Sequence, residues 1–68
     1  GIDIQTSANA TVRSVYEGVV KDVTEIPGLG NVVLIQHGEY YTVYANLQQI
    51  FPTFGQKISA NVTIGTAS

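Results

Sequence analysis

The chain has 68 residues, no cysteine and a formal net charge of −2, with 44% hydrophobic and 12% charged residues. A chain of this length forms one domain at most, and we assign residues 1–68 to a single domain. Its three basic residues form no patch, which argues against a nucleic-acid partner because phosphate binding needs clustered Lys and Arg. No apolar run approaches the roughly 18 residues that span a bilayer.

The residue types that are missing also limit the chemistry. Without cysteine there is no disulfide, no thiol chemistry and no thiolate metal site. The sequence contains no methionine, so it does not begin at an unprocessed translation start. We therefore expect a processed product or a truncated domain, from which an export signal can have been lost upstream.

Short β-rich segments separated by turn residues run along the chain and predict an all-β fold. In chain order we expect strands within 1–4, 12–16, 18–24, 31–36 and 40–45, then a turn into a short strand within 55–58, and a last strand within 62–65. Pro27 and Gly28 mark a loop, and Pro52 makes a regular strand unfavourable near it. Phe51 and Phe54 are expected to anchor that second loop in the core. The pattern favours a small antiparallel sheet, closed as a barrel or sandwich.

The centre of the chain predicts a long antiparallel hairpin. Asn31–Gln36 and Tyr40–Ala45 are rich in Val, Ile, Thr and Tyr, and only His37-Gly38-Glu39 separates them. This three-residue connection, with Gly38 supplying a positive φ, is typical of a tight hairpin with a bulge. The first arm is apolar at four consecutive positions, 32–35, which indicates a strand covered on both faces.

The second arm of this hairpin alternates between two kinds of face. One set is polar and aromatic, and we expect it to face away from the core as a working surface: Tyr40, Thr42, Tyr44 and Asn46. The other set is expected to face the core: Tyr41, Val43, Ala45 and Leu47. An aromatic surface of this kind suits protein contact, since Tyr has an apolar body and a polar tip, and plain cross-strand packing of Tyr40 and Tyr44 is the equal alternative.

Six motifs in order resemble one family. They are Gly1-Ile2-Asp3-Ile4, Val12–Val15 with Gly18-Val19-Val20, Gly30–Gly38, Thr42–Leu47, Gly55–Ile58 and Ile64-Gly65. Together they resemble the LytM domain of the M23 peptidases, bacterial zinc endopeptidases that cut peptidoglycan cross-bridges. The resemblance implies an antiparallel sheet crossed by a groove, and export to the bacterial envelope or periplasm.

The sequence departs from this family at its active-site motifs. Asp3 occupies the position of a zinc ligand, but the ligand His expected four residues earlier would precede Gly1. The active-site His of the Tyr-Ala-His-Leu motif is replaced by Asn46, and the final His-x-His motif would follow Ser68. A hydrolytic zinc site generally needs three protein ligands and an open water position. The resemblance therefore makes Asp3 a vestigial metal position and Asn46 a vestigial active-site position, with no catalytic zinc expected.

This pattern is similar to the degenerate LytM domains of EnvC-like proteins, which bind and switch on peptidoglycan amidases. Truncation explains the missing termini but not Asn46, because an amide is neither acid nor base near neutral pH. The resemblance implies a non-catalytic domain whose partner is an amidase or peptidoglycan, with a contact face of Tyr40, Thr42, Tyr44 and Asn46. The alternative is a fragment of an active, zinc-dependent M23 endopeptidase.

Less specific interpretations apply to the other candidate residues. His37, the chain's one histidine, is expected to be a hairpin residue with a backbone hydrogen bond rather than a zinc ligand. Asp3 is expected to be a bystander carboxylate that caps a turn or faces solvent. A catalytic triad of Ser7 or Ser14 with His37 and Asp22 lacks the glycine pattern of a nucleophile elbow.

Two further expectations concern the whole domain. A biotinyl- or lipoyl-type carrier has similar turns, but neither Lys21 nor Lys57 has the setting of a modified lysine at a hairpin tip. Members of the resembled family carry one more strand after the Ile64-Gly65 position. A sheet edge left open by its absence would favour self-association.

Overall fold

The computed structural model describes residues 10–68, and in that range it forms a single antiparallel sheet. The strands are β1 (Thr11–Arg13), β2 (Gly18–Ile26), β3 (Gly30–His37), β4 (Tyr40–Ile50), β5 (Lys57–Ile58) and β6 (Thr63–Ala67). Their order across the sheet is β1-β6-β4-β3-β2-β5. The predicted all-β fold is confirmed, whereas the strand expected at 1–4, with Asp3, lies outside the described residues. No helix in residues 10–68 is long and apolar enough to cross a membrane.

The predicted central hairpin is β3 paired with β4, and its turn is tighter than expected. His37 pairs with Tyr40, so the connection has two residues, Gly38 and Glu39, instead of three. Gly38 has a φ of 66°, and Glu39 is not among the residues with positive φ. A positive φ at the first of two turn residues is what a type II′ hairpin turn requires, and Gly adopts it without strain.

The facing predicted for β4 is wrong over its first half. Thr42 and Tyr44 are buried, while Tyr41, Val43 and Ala45, which were expected to face the core, are exposed. Burial is possible because both hydroxyl groups have partners: Thr42 Oγ1 lies 2.8 Å from Nε2 of His37, and the Tyr44 hydroxyl accepts a 3.1 Å hydrogen bond from the Val15 amide. A satisfied hydroxyl removes most of the penalty of burying it, so the large apolar ring of Tyr44 is free to join the core.

A β-bulge then shifts the alternation along β4. Asn31 pairs with Leu47 and Val33 with Tyr44, so one residue of β3 lies opposite two residues of β4, Ala45 and Asn46. Leu47 therefore joins Tyr44 in the core. Its inward position was predicted, but it results from the bulge and not from a regular alternation along β4. Asn46 occupies the bulge with a φ of 61°.

The hydrophobic core lies on one face of the curled sheet. Its members come from every strand: Val12, Val20, Val33, Ile35, Tyr44, Leu47, Ile58 and Ile64. On the first hairpin arm Val32, Val33 and Ile35 are buried, while Leu34 is only partly covered. In the loop after β4 Pro52 is buried, whereas Phe51 is 54% and Phe54 74% exposed. The prediction that these two rings enter the core is therefore wrong.

Strand β6 lies inside the sheet and not at its edge. Strand β6, which contains Ile64 and Gly65, pairs with β1 on one side and with β4 on the other. Gly65 meets the Gln49 carbonyl so closely that an added Cβ would collide with it. Among residues 10–68 the outer strands are β1 and β5. Self-association through an open edge stays a prediction.

Candidate functional site

Asn46, which stands at the family's active-site position by resemblance, lies on a structured bulge. Its backbone N–H donates to the Leu29 carbonyl at 2.7 Å, and its carbonyl accepts from the Ser68 amide at 3.1 Å. Asn31 stabilises the same segment, because its Nδ2 donates to the carbonyls of Leu47 (2.9 Å) and Gln48 (3.3 Å). The left-handed φ of 61° suits Asn, whose short polar side chain tolerates that conformation better than most residues.

Apolar side chains lie at the surface beside this bulge. The β2–β3 loop reaches Asn46 through the Leu29 carbonyl, and the Leu29 side chain is 49% exposed. Ile26, at the end of β2, is 38% exposed, and its carbonyl accepts from the Leu29 amide at 2.9 Å. An accessible amide flanked by exposed aliphatic groups can contact a partner, but it cannot exchange a proton near neutral pH.

His37 lies at the other end of the hairpin, and both of its ring nitrogens have hydrogen-bond partners. Its Nδ1 is 2.6 Å from the Glu17 carbonyl and its Nε2 is 2.8 Å from Thr42 Oγ1. A carbonyl only accepts, so Nδ1 carries a proton and donates it to the Glu17 carbonyl. The interpretation of His37 as a hairpin residue with a backbone hydrogen bond is confirmed.

The four residues of the predicted contact face do not share one surface. Thr42 and Tyr44 point into the protein, whereas Tyr40 is 51% exposed beside the hairpin turn. Asn46 is exposed at the bulge, six residues farther along β4, or about 20 Å at ~3.4 Å per residue. A contact role for Tyr40 and Asn46 stays a prediction, and each would act at a separate place.

The described residues do not fit a three-ligand zinc site. In residues 10–68 no group of three or more His, Cys, Asp or Glu side chains lies close enough together to hold a metal ion. Both nitrogens of His37 have protein partners, and Asp3 lies outside the described range. We therefore derive no catalytic step through zinc from these residues.

Within residues 10–68 the hypothetical triad and carrier sites are likewise not assembled, and Ser7, the other candidate nucleophile, lies outside the described residues. Nδ1 of His37 faces the Glu17 carbonyl instead of a carboxylate, and the buried Ser14 hydroxyl donates to the Tyr16 carbonyl at 2.6 Å. Asp22 is exposed on β2. Lys21 lies inside β2 and Lys57 begins β5, so neither stands at a hairpin tip.

The sequence interpretation missed an aromatic cluster around His37. The ring of Tyr40 stacks on His37 with centroids 5.2 Å apart, and the ring of Tyr16 meets His37 edge-on at 6.2 Å. The polar and aromatic alternation of β4 singled out Tyr40. Tyr16 reaches His37 across 21 residues of sequence, and no local pattern indicates that contact.

Comparisons with known proteins agree with this fold. The family model for peptidase family M23 matches residues 1–68. The chain is 38% identical over 63 residues to protein NMB1333 of Neisseria meningitidis serogroup B, covering 91% of the chain. It is also 38% identical over 66 residues, 96% of the chain, to peptidoglycan DD-endopeptidase ShyA of Vibrio cholerae serotype O1. The chain spans only 11% and 15% of the lengths of these two relatives.

Two solved structures share the fold of this chain. A crystal structure described as a peptidase M23 from Pseudomonas aeruginosa superposes with a TM-score of 0.90 at 21% identity, over 97% of the chain and 30% of that protein. The crystal structure of CbpA from L. salivarius REN gives a TM-score of 0.78 at 33% identity, over 84% of the chain and 40% of that protein. With a family-model match along its whole length, the chain belongs to peptidase family M23.

Proposed function

We propose that this is a non-catalytic LytM-like domain of an exported bacterial envelope protein, which regulates peptidoglycan hydrolases by protein contact. The expected partners are peptidoglycan amidases, as in the EnvC-like proteins that the sequence resembles. The observation that carries the proposal is Asn46, a carboxamide at the position where active members have a histidine.

The backbone around Asn46 supports this proposal. The bulge is tied to Leu29 and Ser68 by backbone hydrogen bonds, so the element that presents the residue is intact while its side chain lacks acid–base chemistry. The remaining histidine cannot substitute for it. Both nitrogens of His37 are engaged, about 20 Å away along the hairpin at ~3.4 Å per residue.

The proposed contact surface is the bulge end of the hairpin. Thr42 and Tyr44 are buried and cannot touch a partner, whereas Asn46, Leu29 and Ile26 are accessible and adjacent through the β2–β3 loop. Interfaces gain most of their affinity from a few apolar anchors that become fully desolvated. Leu29, half exposed at the centre of this group, is the anchor we propose.

An amidase-stimulation assay tests the proposal. The natural protein that contains this domain is mixed with a peptidoglycan amidase of the same cell, and release of labelled fragments from peptidoglycan is followed. We expect stimulation, and Leu29→Ala should weaken it about tenfold, the effect of losing roughly 1.4 kcal/mol of binding.

Val62→Ala is the matched control, since Val62 is a 40% exposed aliphatic residue next to β6 and away from the bulge. It should leave stimulation unchanged. An amidase whose rate does not respond to the unmodified protein would overturn the proposal.

The second candidate is a fragment of a zinc-dependent M23 peptidoglycan endopeptidase. The similarity to ShyA, named a peptidoglycan DD-endopeptidase, favours it. Under this alternative Asp3 would be one zinc ligand, and the others would come from sequence before Gly1 and after Ser68. Calorimetric titration of the natural protein with zinc would then show stoichiometric binding at micromolar affinity or tighter, lost in Asp3→Ala.

A further inference from the structure

A surface depression of about 830 Å³ lies beside the turn of the β3–β4 hairpin, far from the Asn46 bulge. Its walls come from three places: the segment before β2, the hairpin turn, and β5 with the residues after it. Among the lining residues the chemically distinctive ones are Tyr16, Glu17, His37, Tyr40, Lys57 and Ser59. Neither the proposed amidase contact nor the family's active-site position uses this depression.

Two tyrosine rings form a corner in this depression. Tyr40 lies nearly parallel to the His37 ring, at 21°, while Tyr16 lies nearly perpendicular to it, at 84°. The planes of the two tyrosine rings are therefore steeply inclined to each other, both residues line the depression, and both are about half exposed, at 56% for Tyr16 and 51% for Tyr40. A ligand in this depression would contact an aromatic face on one side and an aromatic edge on the other.

The corner is rigid because its base cannot rotate. His37 is 7% exposed and is hydrogen-bonded through Nδ1 and through Nε2. Turning the imidazole would break both bonds, so Tyr40 stacks on a fixed ring. Pre-organised aromatic surfaces lose little conformational entropy when a ligand binds.

The polar groups around the corner indicate an uncharged ligand. One carboxylate, Glu17, and one ammonium group, Lys57, line the depression, so the charges balance. The Ser59 hydroxyl is a further donor and acceptor. A phosphate or nucleic-acid ligand would need several clustered cations, and a purely apolar ligand would leave these polar groups without partners.

We infer that this depression binds an uncharged saccharide. The apolar C–H face of a sugar ring matches the exposed face of Tyr40, and its hydroxyl groups match the mixture of Glu17, Lys57 and Ser59 around the rim. Ligand sites commonly combine aromatic walls with a few polar groups that fix orientation. The inference does not depend on the proposed amidase contact, which lies at the opposite end of the hairpin.

An NMR titration of the ¹⁵N-labelled 68-residue chain with the trisaccharide of N-acetylglucosamine tests this inference. We expect saturable shifts of the amide signals of Tyr16, His37, Tyr40 and Lys57, with the Asn46 signal unmoved. Tyr40→Ala should weaken the affinity about tenfold through loss of the aromatic face, while Tyr40→Phe should retain it.

Tyr41→Ala is the matched control, because Tyr41 is the same residue type, is 52% exposed and does not line the depression. It should leave the affinity unchanged. Tyr16→Ala gives an independent variant if Tyr40→Ala does not fold. The inference is overturned if millimolar trisaccharide causes no saturable shift, or if a neutral hexapeptide shifts these signals and the trisaccharide does not.

Discussion

At the scale of single residues, His37 connects three separate parts of the chain. It ends β3, and its ring reaches the Glu17 carbonyl before β2 and the Thr42 hydroxyl on β4. Because the ring is buried, each of these bonds replaces water that cannot reach the site. The stability of the turn end of the hairpin therefore depends on one imidazole.

Replacing this ring should weaken the fold. His37→Ala leaves the Thr42 hydroxyl and the Glu17 carbonyl without their partner, so we expect the free energy of unfolding to fall by about 1–3 kcal/mol. Urea denaturation followed by circular dichroism measures the change, with Tyr41→Ala, at an exposed strand position, as the reference variant. An unchanged midpoint in His37→Ala would contradict the described network.

The side chain of Thr66, unlike that of His37, has a hydrogen-bonding group that is unsatisfied within residues 10–68. Its Oγ1 is buried and has no hydrogen-bond partner among the described residues. Thr66→Val removes that hydroxyl and puts a methyl group in its place, so the variant should be more stable by about 1 kcal/mol, within the usual penalty for an unpaired polar group. A higher melting temperature supports this account of Thr66, and a lower one would show that the hydroxyl has a partner in solution.

At the scale of elements, the bulge in β4 determines which side chains enter the core. Before the bulge Thr42 and Tyr44 face inward, and after it Leu47 does. The two-residue alternation of β4 was visible in the sequence, but its direction was not. Polar atoms on Thr42 and Tyr44 favour an outward assignment from the sequence. The partner of Thr42, His37, is near in sequence but across the hairpin turn, and the partner of Tyr44, the Val15 amide, is 29 residues away.

Substitutions of Asn46 test whether its backbone conformation matters for the stability of this bulge. A β-branched residue is strained at a φ of 61°, so Asn46→Val should destabilise the fold by about 1–2 kcal/mol. Asn46→Gly meets no such strain and should change stability by only a few tenths of a kcal/mol. Equal losses in the two variants would mean that the side chain of Asn46, and not its backbone conformation, stabilises the bulge.

At the scale of the whole molecule, stability rests on a small core. A 68-residue domain is expected to be stable by about 3–10 kcal/mol, at ~0.05–0.15 kcal/mol per residue. Ile35 is fully buried at its centre. Ile35→Ala should remove about 2–5 kcal/mol, a large share of that stability. Thermal unfolding followed by circular dichroism measures this, and a melting temperature within a few degrees of the unmodified chain would contradict the assigned core.

More of the fold than of the candidate site could be predicted from the sequence. Turn residues such as Pro27, Gly28 and Gly38 act locally, so the succession of strands along the chain and the central hairpin could be predicted from them, but the order of the strands across the sheet could not. The tyrosine corner and the Asn46 bulge depend on pairing between distant strands. The exposure of Phe51 and Phe54 was likewise not predictable, because it depends on how their loop crosses the sheet.

The proposed domain acts by contact with a hydrolase and not by hydrolysis of its own. The most direct test is release of soluble fragments from purified peptidoglycan by the natural protein alone, supplied with zinc and with no amidase present. We predict no release above that of buffer, and stimulation only when an amidase is added. Zinc-dependent release by the protein alone would contradict this account and would establish the endopeptidase alternative.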